Sequence, residues 1–74
     1  MKTCLVVDDS SVIRKVARRI LEGLDFQIAE AENGEEAIEA CRKQIPDATY
    51  VSQERLLGAL KRVKPLNTPV IHLR

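Results

Sequence analysis

Apolar and polar positions divide the chain into segments of two different periods. Cys4, Leu5, Val6 and Val7 form an unbroken apolar run, the pattern of a strand covered on both faces, and it stops at two adjacent carboxylates, Asp8 and Asp9. The next apolar positions are Val12, Ile13, Val16, Ala17, Ile20, Leu21 and Leu24. Their spacings alternate between one and three, which places them on one helical face. Arg14, Lys15, Arg18, Arg19 and Glu22 take the other side. Ser10 is suited to the N-cap and Gly23 to the stop, so a helix is predicted from Ser11 to about Glu22.

Phe26 to Ala31 starts with alternation and follows a turn at Leu24-Asp25, so it reads as a second strand at a sheet edge. Asn33, with Glu36 three residues on, makes a variant of the capping box. Ala37, Ile38, Ala40, Cys41 and Ile45 form that helix's buried face, and Pro46 ends it. Ala48 to Val51 is a short third strand. Ser52 can then cap a helix with Gln53 and Glu54 in its first turn and Leu56, Leu57, Ala59, Leu60 and Val63 on its apolar face. Pro65, Asn67 and Pro69 mark a loop before Val70 to Leu73, a fourth strand. Strands alternating with helices predict an α/β layer of parallel strands joined by right-handed crossovers.

The 74 residues, 45% hydrophobic and 31% charged, describe one globular domain over residues 1–74. A core of this size stabilises a fold only marginally, which makes oligomerisation an expectation. The net charge of +1 is unevenly spread. Residues 1–46 hold seven Lys or Arg against nine Asp or Glu, whereas residues 47–74 hold five against two, so composition shifts near Pro46. The basic residues fall on separate helical faces and aromatic content is 3%, which argues against a nucleic-acid partner. Cys4 and Cys41 form no CxxC, so buried reduced thiols are expected in place of zinc or a disulfide. Neither a signal peptide nor a membrane span is discernible, and the cytoplasm is the expected compartment.

Leu5-Val6-Val7-Asp8-Asp9-Ser10, the helix that follows, Ala29-Glu30-Ala31-Glu32-Asn33-Gly34-Glu35-Glu36-Ala37 and Ile45-Pro46-Asp47-Ala48 occur in this order. Together they resemble the receiver domain of bacterial two-component response regulators, of the chemotaxis-regulator type. The resemblance is close over residues 1–48, and residues 49–74 are divergent or spliced. It implies a flavodoxin-like parallel sheet of order 2-1-3-4-5. An acidic pair after the first strand would help hold Mg²⁺ beside a phosphorylatable aspartate ending the third strand. Asp8 and Asp9 match that pair. Extending the alignment from Pro46-Asp47-Ala48 puts Ser52 at the acceptor position, and a serine hydroxyl cannot form the reactive acyl phosphate. Gln53-Glu54-Arg55 replaces the expected loop. Lys64-Pro65 mimics the family's Lys-Pro, but in helical spacing and without a fifth strand.

The residues themselves also allow Asp8 and Asp9 to be a polar strand end with one carboxylate capping the next helix. With the resemblance, they are expected to be a vestigial or weak Mg²⁺ site, no cofactor being required. Ser52 is expected to act as an N-cap, and His72 as a structural or interfacial residue. The fold expected is an incomplete flavodoxin-like sheet of order 2-1-3-4 with helices on both faces. Its fourth strand would lie open at an edge, from which a homodimer is expected. The function expected is that of a non-enzymatic, receiver-derived module, engineered, truncated or degenerate, acting by protein association. The alternative is a working phosphoreceiver using Mg²⁺. A histidine kinase or output protein is a partner by resemblance only.

Overall fold

The computed structural model describes residues 2–51, 53, 56, 58 and 70–72. In chain order it forms β1 (Lys2–Val7), α1 (Ser11–Glu22), β2 (Phe26–Ala31), α2 (Gly34–Lys43), β3 (Ala48–Val51) and β4 (Val70–His72). Among the described residues the strands make one parallel sheet of order β2-β1-β3-β4, with α1 on one face and α2 on the other. This is the flavodoxin-like layer expected, with β2 at an edge. The expected loop at Pro65, Asn67 and Pro69, and Leu73 of the last strand, lie outside the described residues. So does most of the expected third helix: Leu56 and Gly58 are helical, and Leu56 is buried.

The continuous apolar run of β1 is explained by its position, since β2 pairs along one side of it and β3 along the other. Its side chains alternate between two cores. Leu5 and Val7 pack with Ala37 and Cys41 of α2 and with Val51 and Leu56. Cys4 and Val6 pack with Ala17 and Leu21 of α1 and with Ala48. Both thiols are free and buried, and burial pushes both above the ordinary thiol range, partly offset at Cys4 by a backbone hydrogen bond with Tyr50. At the amino end, the Asp47 carboxylate accepts from the Thr3 N–H at 2.7 Å while the Asp47 N–H donates to the Thr3 carbonyl at 3.0 Å. That exchange pins the start of β3 against β1.

Both predicted N-caps form. The Ser10 hydroxyl accepts from the Ile13 N–H at 3.3 Å, and Asn33 Oδ1 from the Glu36 N–H at 2.9 Å. The Glu36 carboxylate reaches back to the Glu32 N–H at 3.0 Å, one residue before the cap, which is the departure from a standard box.

Gly23 stops α1 as expected, and two details go beyond the sequence pattern. Gly23 closes the helix in right-handed geometry (φ −64°), and the left-handed turn falls instead on Asp25 (φ 67°). A short polar side chain tolerates that conformation, so the glycine is not needed for it. The apolar face of α1 is also only partly buried. Ala17 and Leu21 pack on the sheet, while Val12, Val16, Ile20 and Leu24 remain 67%, 53%, 62% and 64% exposed. Arg14 and Arg18 explain this, because both bond Glu30 and so hold one flank of α1 against β2. At 100° per residue, the exposed stripe lies on the opposite flank.

Among the described residues, no helix is long and apolar enough to cross a membrane.

Candidate functional site at the carboxyl end of β1

In an open parallel sheet, ligands bind beyond the carboxyl ends of the strands, where the chain order reverses. Here β1 continues to β2 on one side and pairs with β3 on the other, so the reversal lies between β1 and β3. Val7, the last residue of β1, is in register with Ala31 of β2 and Val51 of β3. Asp8 and Asp9 follow directly, at the place the sequence pointed to. The Asp8 N–H still donates to the Ala31 carbonyl at 3.1 Å, so the first carboxylate is carried on backbone that the sheet holds.

The two carboxylates have different surroundings. Asp8 is buried, 3% exposed, and its Oδ1 accepts from the Ser10 N–H at 2.8 Å. That bond turns the chain into α1, whose positive N-terminal end lies next to the carboxylate. Asp9 is exposed, and Gln53 engages it across 44 positions of sequence. Gln53 Nε2 donates to Asp9 Oδ1 at 3.0 Å, and the Asp9 N–H points at Gln53 Oε1 at a longer 3.4 Å. Only the amide NH₂ can donate to a carboxylate and only its carbonyl can accept from an N–H, so the pairing fixes the carboxamide's orientation.

A second brace comes from α1. Arg14 Nη1 donates to the Asp8 carbonyl at 2.7 Å while its Nε donates to Glu30 at 3.0 Å, tying the end of β1 to β2. Glu30 takes a further bond from Arg18 at 2.8 Å. Partial burial pushes the Glu30 carboxyl up, but the bonds and charges of Arg18 and Arg14 outweigh it and hold the group below its usual value.

The structure places Asp8 and Asp9 at the carboxyl end of β1 and adds two neighbours that the sequence does not point to, Gln53 and Arg14. Helical spacing alone puts Gln53 in a first helical turn and Arg14 on the polar side of α1. The acceptor-position residue, Ser52, and the N-cap role expected of it lie outside the described residues, as does the side chain of His72. Among the described residues, no group of three or more His, Cys, Asp or Glu is placed to hold a metal ion. A groove of about 520 Å³ lies elsewhere, between α2 and β2, with Gln27, Glu36, Glu39 and Lys43 among its walls. Its mixed charges converge on no reactive group.

The family model of the response regulator receiver domain matches residues 4–52, more than half of the chain. The chemotaxis protein CheY of Halobacterium salinarum is 51% identical over 47 residues, which are 62% of this chain and 38% of that protein. The chain is thus similar to part of that relative.

Proposed function

The chain belongs to the response regulator receiver family, and from that premise we propose that it is a degenerate receiver: an association module not phosphorylated on an aspartate. One observation carries the reading. Directly after β3 ends at Val51, where the family resemblance calls for an acceptor carboxylate, the chain has Ser52 and Gln53, and Gln53 turns its carboxamide onto Asp9. Neither side chain can form an acyl phosphate, whether the departure arose by divergence or by splicing of another sequence. Such a module is not an enzyme, and it acts through its surfaces.

The partner proposed first is a second copy of the chain. The Val12, Val16, Ile20 and Leu24 stripe leaves four large apolar side chains more than half exposed along one flank, which supports a contact there. Among the described residues β4 also lies at a sheet edge, where backbone groups can pair with another strand. A histidine kinase or an output protein is the partner class that family membership adds.

Mg²⁺ fits the acidic pair as a weak ligand. Two carboxylates are a donor set this ion accepts while keeping several waters, and no third such group joins them among the described residues. Asp8 and Asp9 would hold it, and when bound it would supply charge that neutralises an incoming anion. The second reading, a working phosphoreceiver, draws on this placement of the pair at the strand-order reversal.

Titration with Mg²⁺ and beryllofluoride, followed by NMR, separates the two readings. A degenerate receiver shows no saturable beryllofluoride response, whereas saturable changes around Asp8, Asp9 and Ser52 reinstate the phosphoreceiver. Sedimentation at micromolar concentration tests self-association: a dimer is expected, and a stable monomer removes that partner.

A further inference from the structure

The contact between Gln53 and Asp9 has a chemical consequence for cations. A carboxamide NH₂ bonded to a carboxylate oxygen occupies the lone-pair direction that a hard cation would use. We infer that Gln53 is an intramolecular stand-in for a cation: its amide clasps Asp9 and lowers the affinity of the acidic pair for divalent metal. The inference rests on the weak Mg²⁺ site proposed above and names the residue that sets its strength.

The geometry supports the clasp from both sides of the peptide. Gln53 Nε2 donates to Asp9 Oδ1 at 3.0 Å, and the same carboxamide faces the Asp9 N–H, so side chain and backbone of Asp9 are held together. Gln53 is also anchored through its own backbone, because its carbonyl accepts from the N–H of Leu56, which is buried in the α2-side core. The amide is therefore presented to the pair from a fixed point. Mg²⁺ requires near-octahedral geometry and gives up its waters reluctantly, so it displaces an existing bond to Asp9 only at a loss of affinity. One ordinary hydrogen bond corresponds to a factor of roughly 2- to 10-fold. Asp8 has its own donor, the Ser10 N–H, but that donor is backbone and stays in place whatever residue 53 is.

Two measurements on the full 74-residue chain test this. In metal-free protein, the Gln53 side-chain amide resonances should shift in D9N. Unchanged resonances mean there is no clasp and overturn the inference. Mg²⁺ is then titrated into the wild type, Q53A and Q53E, with backbone spectra checking that each variant is folded. The expected result is roughly 2- to 10-fold tighter binding in Q53A, and a larger gain in Q53E, which adds a third carboxylate. Unchanged affinity in Q53A overturns the inference. Weaker binding does so too, since it would make the carboxamide carbonyl a ligand. If the D9N shift appears but no protein binds Mg²⁺ saturably, the Mg²⁺ reading itself fails and the contact is only structural.

Discussion

Replacing Thr49 by valine should stabilise the protein. Thr49 is fully buried in the middle of β3, in register with Leu5 of β1 and Val70 of β4, and its Oγ1 has no hydrogen-bond partner among the described residues. A buried hydroxyl left without a partner costs ~1–3 kcal/mol, because its bonds to water are lost and not replaced. Valine keeps the β-branch that suits a strand and nearly the same volume, and the methyl in place of the hydroxyl adds up to ~0.8 kcal/mol of apolar burial. The lower half of the first range alone, with the methyl's contribution left aside, gives a gain of about 1–2 kcal/mol. In a domain this small, 1 kcal/mol moves Tm by ~4–8 °C, so the variant should melt roughly 4–16 °C higher.

The assay is urea unfolding followed by far-UV circular dichroism. Protein concentration must be held fixed, since self-association would make apparent stability depend on it. A higher midpoint at unchanged slope is expected. Thr49→Ser is the control: it keeps the hydroxyl, removes a buried methyl and should lose ~1 kcal/mol. If Thr49→Val is less stable than the wild type while Thr49→Ser is unaffected, the hydroxyl is engaged in a bond and the reasoning fails.

Two further outcomes follow from local geometry. Among the described residues Asp25 is the non-glycine residue with positive φ, so Asp25→Gly should be tolerated or slightly stabilising while Asp25→Val loses ~1–2 kcal/mol; equal melting of the two variants would contradict the assignment of the turn. Glu30 has a folded-state pKa held below its unfolded value of 4.5, so its contribution is present above that value and is lost as pH falls through the folded one. Glu30→Gln should be less stable at pH 7 by ~0.3–1 kcal/mol, the two proteins should converge in acid, and a constant gap across the pH series would show that the arginine contacts are not the cause.

What could be read from the sequence was what periodicity determines. β1 through β3 and both helices stand where apolar spacing and the Ser10 and Asn33 caps put them, because each of those signals acts over a few residues. Periodicity places the apolar residues of α1 on one face but does not say how much of that face is covered, for a geometric reason. Val12 to Leu24 span about half a turn of the helical wheel, and one sheet face covers less than that once Arg14 and Arg18 draw the helix toward Glu30. The site followed the same division. Asp8 and Asp9 are legible because a strand ending in acid is a local pattern, whereas the Gln53 contact spans 44 positions and depends on the β1–β3 register.

The placement of the acidic pair also explains why this end of the sheet needs so many donors. Two carboxylates on adjacent residues repel one another, the more so where burial lowers the local dielectric, and Asp8 is almost wholly buried. A bound cation is one way to offset that repulsion. The chain supplies others of its own: the Ser10 N–H and the N-terminal end of α1 for Asp8, and the Gln53 amide for Asp9. Arg14 meanwhile ties the Asp8 carbonyl to β2 through Glu30, so the carboxylates are held in place as well as partnered. Every internal donor to the pair is a bond that an incoming cation must compete with. On the proposed reading of a receiver without an acceptor aspartate, the donors that hold the acidic pair are therefore the same ones that compete with a cation for it.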